Sequence, residues 1–153
     1  YLNPPHAQVG DHYVAVWMAL DTIDPRSGPF QMIPGSHRWF RLTEERIKAA
    51  MPADQANSDA WPSLSETFLT PLLEKEIASR GVPIIVYLPN PGDVLFWHTR
   101  VVHRGSKATA PGMTRRALIS HYSGIDHRKD MPKAAQLANG GWIFPLPSAR
   151  TMV

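Results

Sequence analysis

GDVLFWHTRVVHRGSKATAPGMTRRALISHY, residues 92–122, is the stretch on which the reading of this chain turns. Pro91-Gly92-Asp93 is a turn signal, and Val94 to Val102 is rich in β-branched and aromatic residues, so a strand is predicted to end at His103. Gly105, Pro111 and Gly112 then break the chain, and Arg115 to Tyr122 alternates again. Successive side chains of a strand point to opposite sides, so Arg115, Ala117, Ile119 and His121 share one face and Arg116, Leu118, Ser120 and Tyr122 the other. With the first face inward, Arg115 is expected to be buried near His103. A guanidinium left unpaired inside a protein is expensive, so such an arginine calls for an anion. His98 and His103 lie five apart on the predicted strand and would face opposite sides, so one metal is not expected to take both. An imidazole and a guanidinium at the mouth of one β-barrel suit a metal that chelates a small dicarboxylate.

Working outward, the 153 residues suit one domain, residues 1–153, large enough to bury a core. With no cysteine, disulfides and thiolate sites are excluded, and a metal must be held by His and carboxylate, which points to iron, manganese or zinc. The net charge of +3 is spread along the chain with no basic stripe interleaved with aromatics, so no nucleic-acid partner is expected. Nor does any apolar run approach the ~18 residues of a membrane span. The expectation is a soluble, cytoplasmic protein whose partner is a small molecule; its oligomeric state is not readable.

Along the chain, His12 to Ile23 reads as a largely apolar strand with burial on both faces for part of its length, and Asp24-Pro25-Arg26-Ser27-Gly28 as a turn. Phe30 to Ile33 is a short strand and Pro34-Gly35-Ser36-His37 another turn. One reading places Gln31 beside the substrate and His37 near the mouth of the site; in the other, Ser36 and His37 merely bond to loop backbone. A helix is predicted from Thr43, a capping residue followed by two acids, to near Pro52. Asp54 to Pro62 reads as a loop, Ser63 to Ser79 as a second helix interrupted by Pro71, and Pro83 to Leu88 as a strand. Asp126 to Asp130 reads as a solvated loop and Gly140 to Pro147 as an aromatic, Pro-rich tail.

Several residues, in order, resemble the phytanoyl-CoA dioxygenase family of iron(II)- and 2-oxoglutarate-dependent oxygenases. They are Trp17 with Ala19-Leu20-Asp21, Gly28-Pro29, Pro34-Gly35-Ser36-His37, Gly92-Asp93, His103 with Gly105-Ser106, and Arg115 with Ala117 and His121. The resemblance implies a mainly β, jelly-roll or double-stranded β-helix fold, cupin-like, with residues 42–80 as a helical insert. It implies His103 as the distal iron ligand and Arg115 as the partner of the far carboxylate of 2-oxoglutarate, with Ser106 and Trp97 beside that cosubstrate. Gln31, His98 and Trp17 are the candidate substrate residues. The implied activity is hydroxylation of a small organic substrate by O2, with 2-oxoglutarate decarboxylated to succinate.

Two departures matter. The family's His-x-Asp motif, which carries the other two iron ligands, is absent; its place falls upstream of Tyr1, so the chain reads as truncated at its N-terminus. His6, Asp11 and His12 are the nearby groups that could replace those ligands, or are plain polar residues of a loop and strand edge. Arg104 also stands between His103 and Gly105-Ser106, leaving open which of the two takes the position of the family's serine. The competing readings are a halogenase using the same chemistry and a non-catalytic β-barrel that binds a small anion at Arg115.

Overall fold

The computed structural model describes residues 12–39, 43–128 and 131–145. Its centre is β1 (Tyr13–Ala19), paired antiparallel on one side with β4 (Val94–His98) and on the other with β6 (Ala117–Ser123). A second antiparallel sheet has β2 (Phe30–Met32) between β3 (Ile85–Tyr87) and β5 (His103–Gly105). Alternation along β1 turns Ala15, Trp17 and Ala19 inward, where none is more than 4% exposed. The register sets Ala15 between Trp97 and His121, and Trp17 between Leu95 and Ile119, so the inward face of β6 is the one that the sequence pattern gave, Ala117, Ile119 and His121. Ile23 and Phe30 join this core, and Met32 and Tyr87 from the second sheet pack against it. Each large side chain taken out of water there contributes about 1.5–3 kcal/mol.

The other face of β1, Val14, Val16 and Met18, is only half-buried, and its neighbours Phe96, Leu118 and Tyr122 are 67%, 55% and 58% exposed. The strand is therefore apolar on both faces, as its sequence suggests, with its own inward side chains buried although Ile119 beside Trp17 is 55% exposed.

The predicted strand from Val94 to His103 is interrupted, and its two ends, in β4 and at the start of β5, lie in different sheets. β4 ends at His98, Thr99 and Arg100 turn, and the Val101 N–H donates to the His98 carbonyl at 2.8 Å. A side chain 66 residues earlier holds the corner. The Ser36 hydroxyl donates to the Ile33 carbonyl and accepts from the Val102 N–H, both at 2.7 Å, and the Ile33 N–H donates to the Val102 carbonyl at 3.0 Å. Ser36 thus bonds to loop backbone, as one reading of the turn expected. Because the chain changes sheet, His98 and His103 do not lie on one strand and their relative facing is not a matter of strand parity.

Between β2 and β3 the helical insert stands where expected, as α1 (Glu44–Lys48), α2 (Ala53–Ala56), α3 (Trp61–Leu64) and α4 (Glu66–Arg80). Thr43 caps α1 by accepting from the Arg46 N–H, and Gly81, at φ 60°, ends α4. The insert has its own core of Ile47, Met51, Ala56 and Trp61, with Phe68 and Leu69 against it. That packing explains two differences from the sequence reading. The presumed loop from Asp54 to Pro62 contains α2 and the start of α3, and α4 runs through Pro71 because the turn before it is pinned by Phe68 and Leu69. Near the C-terminus, the predicted tail contributes to a hairpin of β7 (Ala135–Gln136) and β8 (Trp142–Ile143), closed at Gly140 with φ 82°. Among the described residues, no helix is long and apolar enough to cross a membrane.

At the far end of β1, Asp21 accepts from the Arg116 side chain at 2.6 Å and from its backbone N–H at 3.1 Å. These bonds hold the Asp21 carboxyl at about 2, below its ordinary 3.8. A depressed carboxylate stabilises the fold above its unfolded pKa and ceases to do so as pH falls through the folded value. Asp21→Asn is therefore expected to lower the thermal midpoint at pH 7, with the gap to wild type closing between pH 4 and pH 2. Ser36→Ala leaves the Val102 N–H without its acceptor and should cost about 1–3 kcal/mol in urea unfolding; an unchanged midpoint would contradict its place at the corner.

Candidate functional site

β5 carries His103 opposite Met32 and Gly105 opposite Phe30, so both residues share the inward face of the second sheet. The His103 ring lies 5.3 Å from that of Phe30 and 5.6 Å from that of Trp97. Its Nδ1 is 2.7 Å from the Val101 carbonyl oxygen. A carbonyl can only accept, so Nδ1 carries the proton and the lone pair of the neutral ring is on Nε2. A histidine that donates one ring N–H to backbone and keeps the other nitrogen bare has the form in which imidazole binds a metal.

Gly105 lies about 6.8 Å further along the strand from His103. A Cβ placed on it would come 3.0 and 3.1 Å from Nη1 and Nη2 of Arg115, so the guanidinium lies against a bare backbone. Nη1 donates to the Gly28 carbonyl. Gly28 must itself be glycine, because its φ is +80° and an added Cβ would meet the Ser106 carbonyl oxygen at 2.5 Å. Arg115 is therefore not the buried residue that alternation suggests. It lies two residues before β6, is exposed, and is held by two glycines beside the His103 face. Among the described residues no carboxylate pairs with it.

The remaining candidates divide. Trp97, 8% exposed, points inward beside His103, and its Nε1–H has no partner among the described residues. Ser106 follows Gly105 by one residue; both its hydroxyl and its N–H donate to the Pro29 carbonyl at 2.9 Å, so the position on the His103 face belongs to Gly105. Gln31 is opposite Arg104 on the other face of the sheet and accepts from its Nε at 2.8 Å, and Gln31 and His103 both line one small cavity. His98 is opposite Val14 on the outward face; its Nδ1 accepts from the Arg100 N–H and its ring stacks on His37 at 5.5 Å. Trp17 is a core residue, edge-on to Tyr87 at 5.9 Å.

His121 stands on the inward face, its ring 5.2 Å from that of Tyr13. Burial first, then the charges of Arg128 and His103, push its pKa below the ordinary imidazole value. His6 and Asp11 lie outside the described residues, and the His12 ring stacks on His127 at 3.9 Å. Among the described residues no three His, Cys, Asp or Glu side chains converge as a metal site. The glycines at 28 and 105 were not recognised as supports for Arg115 from sequence, although Gly28-Pro29 and Gly105-Ser106 were both visible as motifs.

Two comparisons bear on this site. The family model described as phytanoyl-CoA dioxygenase matches residues 1–117, a span that contains His103, Gly105 and Arg115. No curated protein matches the chain.

If the Val101 carbonyl fixes the His103 proton, nitrogen NMR at pH 8 should show Nδ1 protonated and Nε2 bare. The opposite tautomer would remove the metal-ready nitrogen from this face.

Proposed function

This chain belongs to the phytanoyl-CoA dioxygenase family, whose members are generally iron(II)- and 2-oxoglutarate-dependent oxygenases, and on that premise we propose that it hydroxylates a small organic substrate while 2-oxoglutarate is decarboxylated to succinate. The observation that carries the proposal is a metal-ready His103 Nε2 on the same strand face as the Gly105 shelf, where an arginine with no described carboxylate partner lies. The donor set fits in part. His103 offers one imidazole, and the two further ligands of the facial triad are to come from outside the described residues. In this reading residues 1–153 form one domain, with the two three-stranded sheets part of a double-stranded β-helix.

Iron bound at His103 would supply the activation of O2 and a chelation point for the 2-oxo acid. Arg115 takes the distal carboxylate in a charge-assisted pair, for which a planar guanidinium has the matching fork and an ammonium has not. The Gly28 carbonyl and the Gly105 shelf restrict that fork before the cosubstrate arrives, so less rotamer entropy is lost on binding. Phe30 and Trp97 flank His103 and keep water from one side of it.

Anaerobic titration of the protein with iron(II) and 2-oxoglutarate is expected to give the visible charge-transfer band of the chelate. His103→Ala should lose the iron; unchanged iron content would end the assignment. Arg115→Ala should leave less than about a tenth of wild-type turnover, the loss expected when a charge-assisted bond worth about 1.5–3 kcal/mol is removed. Gly105→Ala should weaken 2-oxoglutarate binding about tenfold with little change in thermal midpoint, because the Cβ displaces only the end of a side chain. Binding of 2-oxoglutarate without metal would favour the anion-binding module instead.

A further inference from the structure

The row that carries His103 runs across the second sheet to residues that the proposed cosubstrate site does not use. Met32 of β2 is opposite His103 on one side and opposite Ile85 of β3 on the other, so the three side chains stand in one row on one face. That face is the inward one: Phe30, two residues before Met32, is 6% exposed, and Met32 packs against the core that contains it. Opposite residues of an antiparallel pair have Cβ atoms about 4.5–5.5 Å apart, which puts the Met32 thioether within reach of both neighbours. Inward residues are ordinarily covered, as Trp17, Phe30 and Trp97 are here. Ile85 is not. It is 45% exposed, and it and His103 are the two open ends of the row, with Met32 half-buried between them. Apart from the imidazole, the row holds no side-chain donor and only the weak acceptor of a thioether. A polar group laid there loses water without a replacement bond, whereas a hydrocarbon gains by covering isoleucine and methionine.

We propose that Ile85, with Met32, is a specificity-determining residue that takes the hydrocarbon part of the substrate, so that the bond presented beside His103 belongs to an aliphatic segment and not to a polyhydroxylated or charged one. His103 and Ile85 are two strand spacings apart, about 9–10 Å between backbones, a span that a run of several carbons bridges. Adjacency assigns the occupant: the uncovered row ends at His103, whose Nε2 is bare because Nδ1 is bonded to the Val101 carbonyl, so what lies on the row lies beside that nitrogen. Arg115 belongs to the neighbouring row, against Gly105 opposite Phe30. A carboxylate and a hydrocarbon are thereby held in successive rows. The word substrate rests on the oxygenase reading; the apolar site does not.

The test follows isoleucine methyl and histidine ring signals of the metal-free protein by NMR, with Ile85→Val assigning the Ile85 methyls. Titration with 1-hexanol is expected to shift the Ile85 and His103 signals together and saturably, and diethylene glycol, a polar chain of similar length, is not. Ile85→Asn should weaken the hexanol effect, read at His103, about three- to tenfold, the share of an isoleucine's burial that the ligand completes. Val86→Asn, on the opposite face of the same strand and 42% exposed, should leave the effect unchanged, which controls for disturbance of β3. No saturable shift, an equal shift with diethylene glycol, or equal weakening in the two variants each overturns the assignment. So does a concentration-dependent dimer, seen by light scattering, that Ile85→Asn abolishes, because a second copy then covers the row. A saturable hexanol shift in a protein that gives no iron chelate band would keep the apolar site and remove the oxygenase reading; the band without the shift would do the reverse.

Discussion

One buried hydroxyl sets the geometry of this molecule. Ser36, 4% exposed, ties the end of β2 to the corner where the chain leaves the first sheet and enters the second. Without that corner, Val94 to Val102 would continue as one extended strand, as its β-branched and aromatic composition favours. His103 would then extend the first sheet instead of facing it. With the corner in place, His103 packs between Phe30 of one sheet and Trp97 of the other, and its Nδ1 reaches the Val101 carbonyl two residues back. The orientation of the imidazole is thus decided by hydrogen bonds whose partners are backbone groups, which hold their position more firmly than side chains do.

The same dependence on backbone appears at Arg115. A carboxylate partner would hold the guanidinium but would also cancel its charge. The Gly28 carbonyl holds it and leaves the charge for an incoming anion. Two glycines make this possible for different reasons. Gly28 lets the loop close on Ser106 in a conformation other residues resist, and Gly105 leaves the space into which the guanidinium settles. The guanidinium therefore lies along the strand from the histidine on a surface where, among the described residues, it has no carboxylate partner.

Much of this was legible in the sequence and some was not, and the division follows the range of the forces involved. Local signals were reliable: the Thr43 cap, the turns at Gly28 and Gly92, and the inward set Ala117, Ile119 and His121 all follow from nearest-neighbour chemistry. The break after His98 was not legible, because residues 98–103 contain no Gly or Pro and the bond that bends them comes from Ser36. Pro71 misled for a related reason, since the helical core around Ile47 and Trp61 compensates for the backbone bond it removes. Of the candidate site residues, Trp97 is brought against His103, Arg115 against Gly105 two residues further along the strand, and Gln31 lines a small cavity with His103, while His98 and Ser106 turn to other partners. Motif matching identified residue types well. It could not say which face each one takes.

Face is a question of parity, and Arg104 decides it. Side chains on a strand alternate with a period of two, so the residue two beyond His103 shares its side and the residue three beyond does not. With Arg104 in place, the second position is Gly105 and the third is Ser106. The hydroxyl is thereby turned to the Pro29 carbonyl, and Arg104 itself pairs with Gln31 on the opposite face. On the His103 side there remains a position with no side chain, and the Arg115 guanidinium occupies it. A serine there would add a hydroxyl donor but would crowd the guanidinium at about the same distance that any Cβ does. On the proposed reading, the carboxylate of the cosubstrate meets a single cation on a bare strand, with no hydroxyl on that face. A site of that kind selects its ligand by charge and by the fork geometry of the guanidinium, with less contribution from neutral hydrogen bonding.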